Sequence, residues 1–131
     1  MLRTLRHRNG FTVIELLIVV VIIGILAAIA IPKFANNKSK TYQNAMKTDL
    51  HNLVTAQEAY FADSSKYATS VTQLKFRGSP GVSAPVITTG QGFWTATVTH
   101  SQLPGVVCSV GVNTANPTLG ATATENDPAC K

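Results

Sequence analysis

The sequence predicts an α+β protein: one long N-terminal α-helix, its apolar half protruding, packed through its second half on a small antiparallel β-sheet. Three observations lead there. From Phe11 to Ile31 the chain is almost wholly apolar, and Glu15 is its only charged residue. Beyond Pro32, Met46, Leu50, Leu53, Val54, Tyr60 and Phe61 recur at offsets of 0, 4, 7, 8, 14 and 15 residues, a single stripe on a helix. Further on, Trp94, Ala96 and Val98 alternate with Thr95, Thr97 and Thr99, the period of a half-buried strand.

The first element follows a basic leader carrying Arg3, Arg6, His7 and Arg8. Positive flanking charge keeps that end cytoplasmic, so the C-terminal part faces outward. The 21 residues from Phe11 to Ile31 span roughly 30 Å as a helix, one hydrocarbon thickness. An ordinary secretory signal is cut after its apolar core at small residues. Ala27-Ala28 and Ala28-Ile29-Ala30 offer such residues, but Glu15 is foreign to that pattern. A carboxylate costs about 2.5–3.5 kcal/mol at the bilayer centre and less near the interface. Cleavage after Gly10 would supply an offsetting cation, the free amine of Phe11.

Gly24 and Pro32 punctuate the same helix. Proline has no N–H and crowds the carbonyl four residues earlier, here Ala28, which favours a kink or opening. Glycine weakens a helix by about 1 kcal/mol relative to alanine. Neighbouring groups rescue such positions in membrane helices, so both residues also have a purely structural reading. The helix is expected to run from Phe11 to about Ala62, with Asp63-Ser64-Ser65 as its stop.

Gly10-Phe11-Thr12-Val13-Ile14-Glu15-Leu16-Leu17-Ile18-Val19, followed by Gly24-Ile25-Leu26-Ala27-Ala28-Ile29-Ala30-Ile31-Pro32, resembles the leader and N-terminal segment of type IV prepilins and the related pseudopilins. The resemblance covers about the first third of the chain; past Ala62 it is only architectural. It implies a pilin fold, and four regions: a leader (residues 1–10) removed by a prepilin peptidase between Gly10 and Phe11, a transmembrane and filament-core helix (11–32), an amphipathic continuation (33–62), and a head (63–131). It also implies N-methylation of Phe11 and assembly through pairing of Glu15 with the Phe11 amine of a neighbour. Gly24 to Pro32 is the region expected to lose regular helix on assembly. The implied partners are copies of the same chain in a helical filament, the peptidase, an inner-membrane platform and a cytoplasmic ATPase. The implied location is the inner membrane, then an extracellular pilus.

Within the head, Ser70-Val71-Thr72-Gln73 reads as a capping box on a short helical turn. Gly78, Pro80, Gly81 and Pro85 mark a loop. Strands are expected at 86–89, 93–100 and 106–112, with Leu103-Pro104-Gly105 as the turn into the third. Cys108 and Cys130 are the only cysteines. In an oxidising compartment they would pair, closing a loop poor in large apolar residues; the alternative is two free thiols. In the resembled pilins a C-terminal disulfide closes an exposed segment.

Charge and motifs exclude several classes. The chain carries +5, but without its first ten residues eight Lys and Arg face six Asp and Glu, a balance of +2. Scattered lysines and Arg77 therefore read as a solvated face, and nucleic acid is not indicated. Phe34, Tyr42, Tyr60, Phe61 and Tyr67 do not form a spacing that demands charge transport. No nucleophile elbow, P-loop, H-E-x-x-H or Cys-x-x-Cys occurs. His51 and His100 read as surface or structural residues, and Asp49 and Glu58 lie nine residues apart, off a common helical face. Glu125 and Asp127 are the residues nearest to a Ca²⁺ site, without a full oxygen set. No cofactor is expected. A pilus subunit (adhesion, twitching motility or DNA uptake) leads; the alternatives are a pseudopilin of a secretion or competence system and a membrane-anchored enzyme or binding module.

Overall fold

The structure is a computed structural model that describes residues 10–117 and 126–131. The leader residues Arg3, Arg6, His7 and Arg8, and Glu125 of the candidate Ca²⁺ pair, lie outside the described residues. The fold is α+β, with two compact units divided at Asn37/Lys38.

Helix α1 spans Val13–Ser64. It continues through Gly24 and Pro32; the loss of regular helix expected there concerns assembly, not the single chain. Its end is set by local chemistry. The Ser64 hydroxyl donates to the Tyr60 carbonyl at 2.7 Å and to the Lys66 carbonyl at 3.0 Å. Ser65 then turns left-handed, with φ of 55°, the conformation that commonly terminates helices.

In the second unit α1 buries Met46, Asp49, Leu50, Leu53 and Gln57. Most of the predicted stripe is therefore core. Phe61 is the exception: it is 37% exposed and stacks on Tyr67 at 4.7 Å between ring centroids. Eleven residues past Leu50 it still lies only about 20° around the helix from that residue, so its exposure comes at the end of the stripe and not from a rotation of it.

Four antiparallel strands follow in the order β1 (Val86–Thr89), β2 (Trp94–His100), β3 (Leu103–Val112) and β4 (Ala129–Cys130). Trp94, Ala96 and Val98 of β2 meet Met46, Leu50 and Leu53 in one core with Val110 and Val112 of β3. The alternation of β2 is thus a true inside–outside pattern. Trp94 is fully buried, and its Nε1 has no hydrogen-bond partner among the described residues.

The reversal between β2 and β3 lies at Ser101-Gln102, not at Leu103-Pro104-Gly105 as the sequence suggested. The His100 ring Nδ1 accepts the Gln102 N–H at 3.0 Å, which ties the turn. Leu103 already pairs with His100, and the register shifts so that Val107 pairs with Thr99. Pro104 and Gly105 (φ 86°) occupy the intervening bulge, where a missing N–H and a left-handed backbone are tolerated. β4 was not expected at all. It is two residues long and pairs Cys130 opposite Cys108.

Two polar clasps hold the connection between helix and sheet. Gln57 donates through Nε2 to the Ala68 carbonyl at 2.9 Å, and its Oε1 accepts the Ala68 N–H at 2.8 Å. Asp49, buried, accepts the Ser79 N–H and hydroxyl, each at 2.7 Å. Between them the capping box forms as expected: Ser70 caps the 3-10 turn Val71–Gln73, and Gln73 reaches back to the Ser70 N–H at 3.2 Å.

Candidate functional site

Gly10 and Phe11 are exposed ahead of the helix, with Phe11 at 87%. Thr12 begins the helix as its N-cap, and Glu15 occupies the third helical position. The Thr12 N–H and hydroxyl both donate to Glu15 Oε2 at 2.8 Å. In return the Glu15 N–H donates to the Thr12 hydroxyl at 3.3 Å. This is a reciprocal capping box, satisfying two of the amides that a helix start leaves without partners. The Thr-x-x-Glu spacing is legible in the sequence, although a lone carboxylate in an apolar run points first to a partner outside the chain.

Behind this cap, every large hydrophobic side chain from Val13 to Ile31 is exposed. The helix is long and apolar enough to cross a membrane, and none of its apolar window is buried within the chain. A soluble protein does not leave such a continuous surface uncovered; it marks a membrane or protein interaction surface. Gly24 sits within it, with open space around a built Cβ, so no contact inside the chain requires a glycine there. Pro32 lies in the same helix.

The second group of site residues is in the head. Cys108 and Cys130 are joined as a disulfide across β3 and β4. They close a segment anchored on the outer side of β3 by Asn116, whose amide donates to the Ser109 carbonyl at 2.9 Å and to the Asp127 carbonyl at 3.3 Å. The Ser109 hydroxyl donates to Asn116 Oδ1. Gly111 allows this approach, since a Cβ there would stand 2.9 Å from the carbonyl oxygens of Thr114 and Ala115.

Among the described residues, the titratable side chains singled out in the sequence do not come together. Asp49 is buried beneath Ser79, whereas Glu58 is exposed and accepts from the Tyr67 hydroxyl at 3.4 Å. His51 is exposed, and His100 is buried against the Tyr42 ring at 4.3 Å. Among the described residues, no group of three His, Cys, Asp or Glu is placed to hold a metal.

Comparison with known proteins agrees with this arrangement. Residues 5–31 match the model of the prokaryotic N-terminal methylation motif. The chain is 46% identical over 75 residues to the type IV major pilin protein PilA of Myxococcus xanthus, covering 57% of this chain and 34% of that one. It is 39% identical over 69 residues to the type II secretion system core protein G of Vibrio cholerae, covering 53% and 47%. The matches to these two relatives thus span half of their length or less. A fimbrial protein of Pseudomonas aeruginosa matches at 32% identity over 122 residues, covering 92% of this chain and 79% of its own. No solved structure matches. The motif at the N-terminus and the near full-length match to a fimbrial protein place this chain in the type IV pilin family, structural subunits related to the pseudopilins and not enzymes.

Proposed function

We propose that the protein is a structural subunit of a type IV pilus. It is cut between Gly10 and Phe11 by a prepilin peptidase, held in the inner membrane by residues 11–31, and polymerised through that helix into an extracellular filament. The observation that carries this reading is an apolar helix with no cover of its own and a single carboxylate one turn from its start. In an apolar filament core, removing one partner of a charge pair strands the other at about 3–5 kcal/mol. Pairing of Glu15 with the Phe11 amine of the next subunit gives each new copy a reason to seat at the growing end. The disulfide-closed head faces outward and carries whatever surface contacts the pilus makes.

A second reading follows from the relatives named as type II secretion core proteins. A pseudopilin would share the N-terminus and its assembly but build a short fibre confined to the envelope.

Shearing the cells and determining the intact mass and N-terminal sequence of the released filament protein separates the two. A chain beginning at Phe11, one methyl group heavier, in long sheared filaments supports the pilus. The same processed chain found only in the envelope moves it to a pseudopilin. Cleavage near Ala28 or Ala30 would overturn both.

A further inference from the structure

We infer that the hollow between the end of α1 and the β1–β2 turn is a saccharide-binding site. It takes an acidic sugar, stacked on Phe61 with its carboxylate on Lys66. The site lies wholly within the second unit; only its repetition along a fibre rests on the pilus reading above.

The hollow measures about 460 Å³. One part of its lining is the helix end and the chain after it: Phe61, the left-handed Ser65 (φ 55°) and Lys66. The other is the turn Gly90-Gln91-Gly92, which carries one side chain in three residues. Its glycines have reasons inside the fold. A Cβ on Gly90 would run into the Phe93 ring, and Gly92 has φ of 76°. The consequence is bare backbone in a hollow that also holds an aromatic ring. Both parts are pinned from behind. Gln57 holds the Ala68 backbone through two hydrogen bonds, and the Asn113 amide donates to the Gly92 carbonyl at 2.9 Å. The site is therefore formed before a ligand arrives, and little ordering is needed on binding.

Three features choose the ligand. Among the described residues of the second unit, Phe61 is the only exposed aromatic; it packs on Tyr67 yet stays 37% exposed. The C–H face of a pyranose ring, apolar and weakly positive at its hydrogens, suits the negative face of such a ring. Around it stand groups with hydrogen-bonding capacity to spare. Among the described residues, the Ser65 and Thr89 hydroxyls and the Gln91 amide make no hydrogen bond. Lys66 is the only charged residue of the lining, and it forms no ion pair among the described residues. Glu58 meets the Tyr67 hydroxyl at 3.4 Å but does not line the hollow.

Other ligands fit less well. A divalent cation would find no carboxylate in the lining. A phosphate is ordinarily met by several cations or by the N–H groups of a helix start, and here one lysine stands alone. A wholly apolar ligand would strip water from three polar side chains and return no partner to them. An acidic sugar offers one feature to each: a C–H face, hydroxyls and a carboxylate. A filament would present one such site per subunit, so that weak single contacts multiply along it.

Calorimetric titration of the detergent-solubilised full chain, and of sheared filaments, with trigalacturonate, neutral galactotriose and inorganic sulfate tests the site. Trigalacturonate should bind about twofold to fivefold more tightly than galactotriose, the size of an exposed ion pair. The advantage should vanish at about 1 M salt. Lys66→Gln should remove that advantage and leave galactotriose binding unchanged. Phe61→Ala should weaken both sugars about tenfold; Gln91→Ala, in the turn, should weaken both by less. Fluorescence of the buried Trp94 verifies that each variant is folded, and Phe61→Leu, which keeps apolar bulk without a ring face, replaces Phe61→Ala if that chain does not fold. No saccharide binding overturns the site and leaves the pilus reading intact. So does binding untouched by the Phe61 and Lys66 substitutions, or displacement of trigalacturonate by sulfate at equal concentration. Saccharide binding by the solubilised chain of cells that make no filament removes the pilus reading and leaves the site.

Discussion

Glu15 and Thr12 satisfy each other: both Thr12 donors meet one Glu15 oxygen at 2.8 Å, and the Glu15 amide returns to the Thr12 hydroxyl. The carboxylate proposed above to pair with a neighbour's amine is thus already hydrogen-bonded within its own chain. Two roles, capping a helix and attracting a neighbour's amine, meet on one side chain, and they can be separated because only the second needs a charge.

Glu15→Gln retains a capping box, since glutamine serves at the third helical position, but cannot form the charge pair. Glu15→Ala loses both. Both variants are expected to be cleaved and inserted in the membrane yet to yield few filaments. If Glu15→Gln instead assembles like wild type while Glu15→Ala fails, the cap and not the charge is what assembly needs. Sheared filament mass against membrane-held subunit is the measurement.

Gly24 and Gly111 should respond oppositely to the same substitution. At Gly24 an added Cβ meets open space, and alanine favours a helix by about 1 kcal/mol. Gly24→Ala should leave the detergent-solubilised chain at least as helical by circular dichroism while lowering filament yield, if this stretch must open on assembly. At Gly111 the Cβ would press on two carbonyl oxygens at 2.9 Å. Gly111→Ala should displace the segment at Asn116 and cost about 1–3 kcal/mol of head stability.

Asp49→Ala should loosen the loop at Ser79. It leaves a backbone N–H and a hydroxyl without their acceptor, a loss of about 1–3 kcal/mol. Asp49→Asn, which keeps one oxygen, should cost less. Trp94 is the only tryptophan and is fully buried, so its fluorescence reports denaturation of the head in both variants.

Reduction of the Cys108–Cys130 bridge, or Cys130→Ser with Cys108→Ser, removes a cross-link between residues 22 apart. Chain-entropy arguments value a loop of that size at roughly 3 kcal/mol. The denaturation midpoint should fall accordingly, and β4, held by two residues of pairing, should be the first strand to lose protection from hydrogen exchange.

Trp94→Phe tests the unpartnered indole. It removes a buried N–H that gains no bond, which offsets part of the lost volume, so it should cost clearly less than the about 3–5 kcal/mol of Trp→Ala.

Periodicity and composition made much of this molecule legible. An uninterrupted apolar run with one carboxylate needs no tertiary context to be read as a membrane or filament helix, because its burden is the uncovered surface itself. The stripe from Met46 to Tyr60 and the alternation of Trp94 to Thr99 were equally readable, since each repeats with the period of its own element, and so was the Ser70–Gln73 box. Tertiary structure decided what depends on partners distant in the chain. Leu103-Pro104-Gly105 has the composition of a turn, yet pairing with β2 makes it a bulge. Ala129-Cys130 has no strand pattern and becomes one only because β3 and the disulfide lie beside it. Asp49 and Gln57 look like surface residues of an amphipathic helix until Ser79 and Ala68 arrive to satisfy them. Local sequence sets which face of a helix or strand is apolar; which polar group can be buried is set by the donor or acceptor that the fold delivers to it.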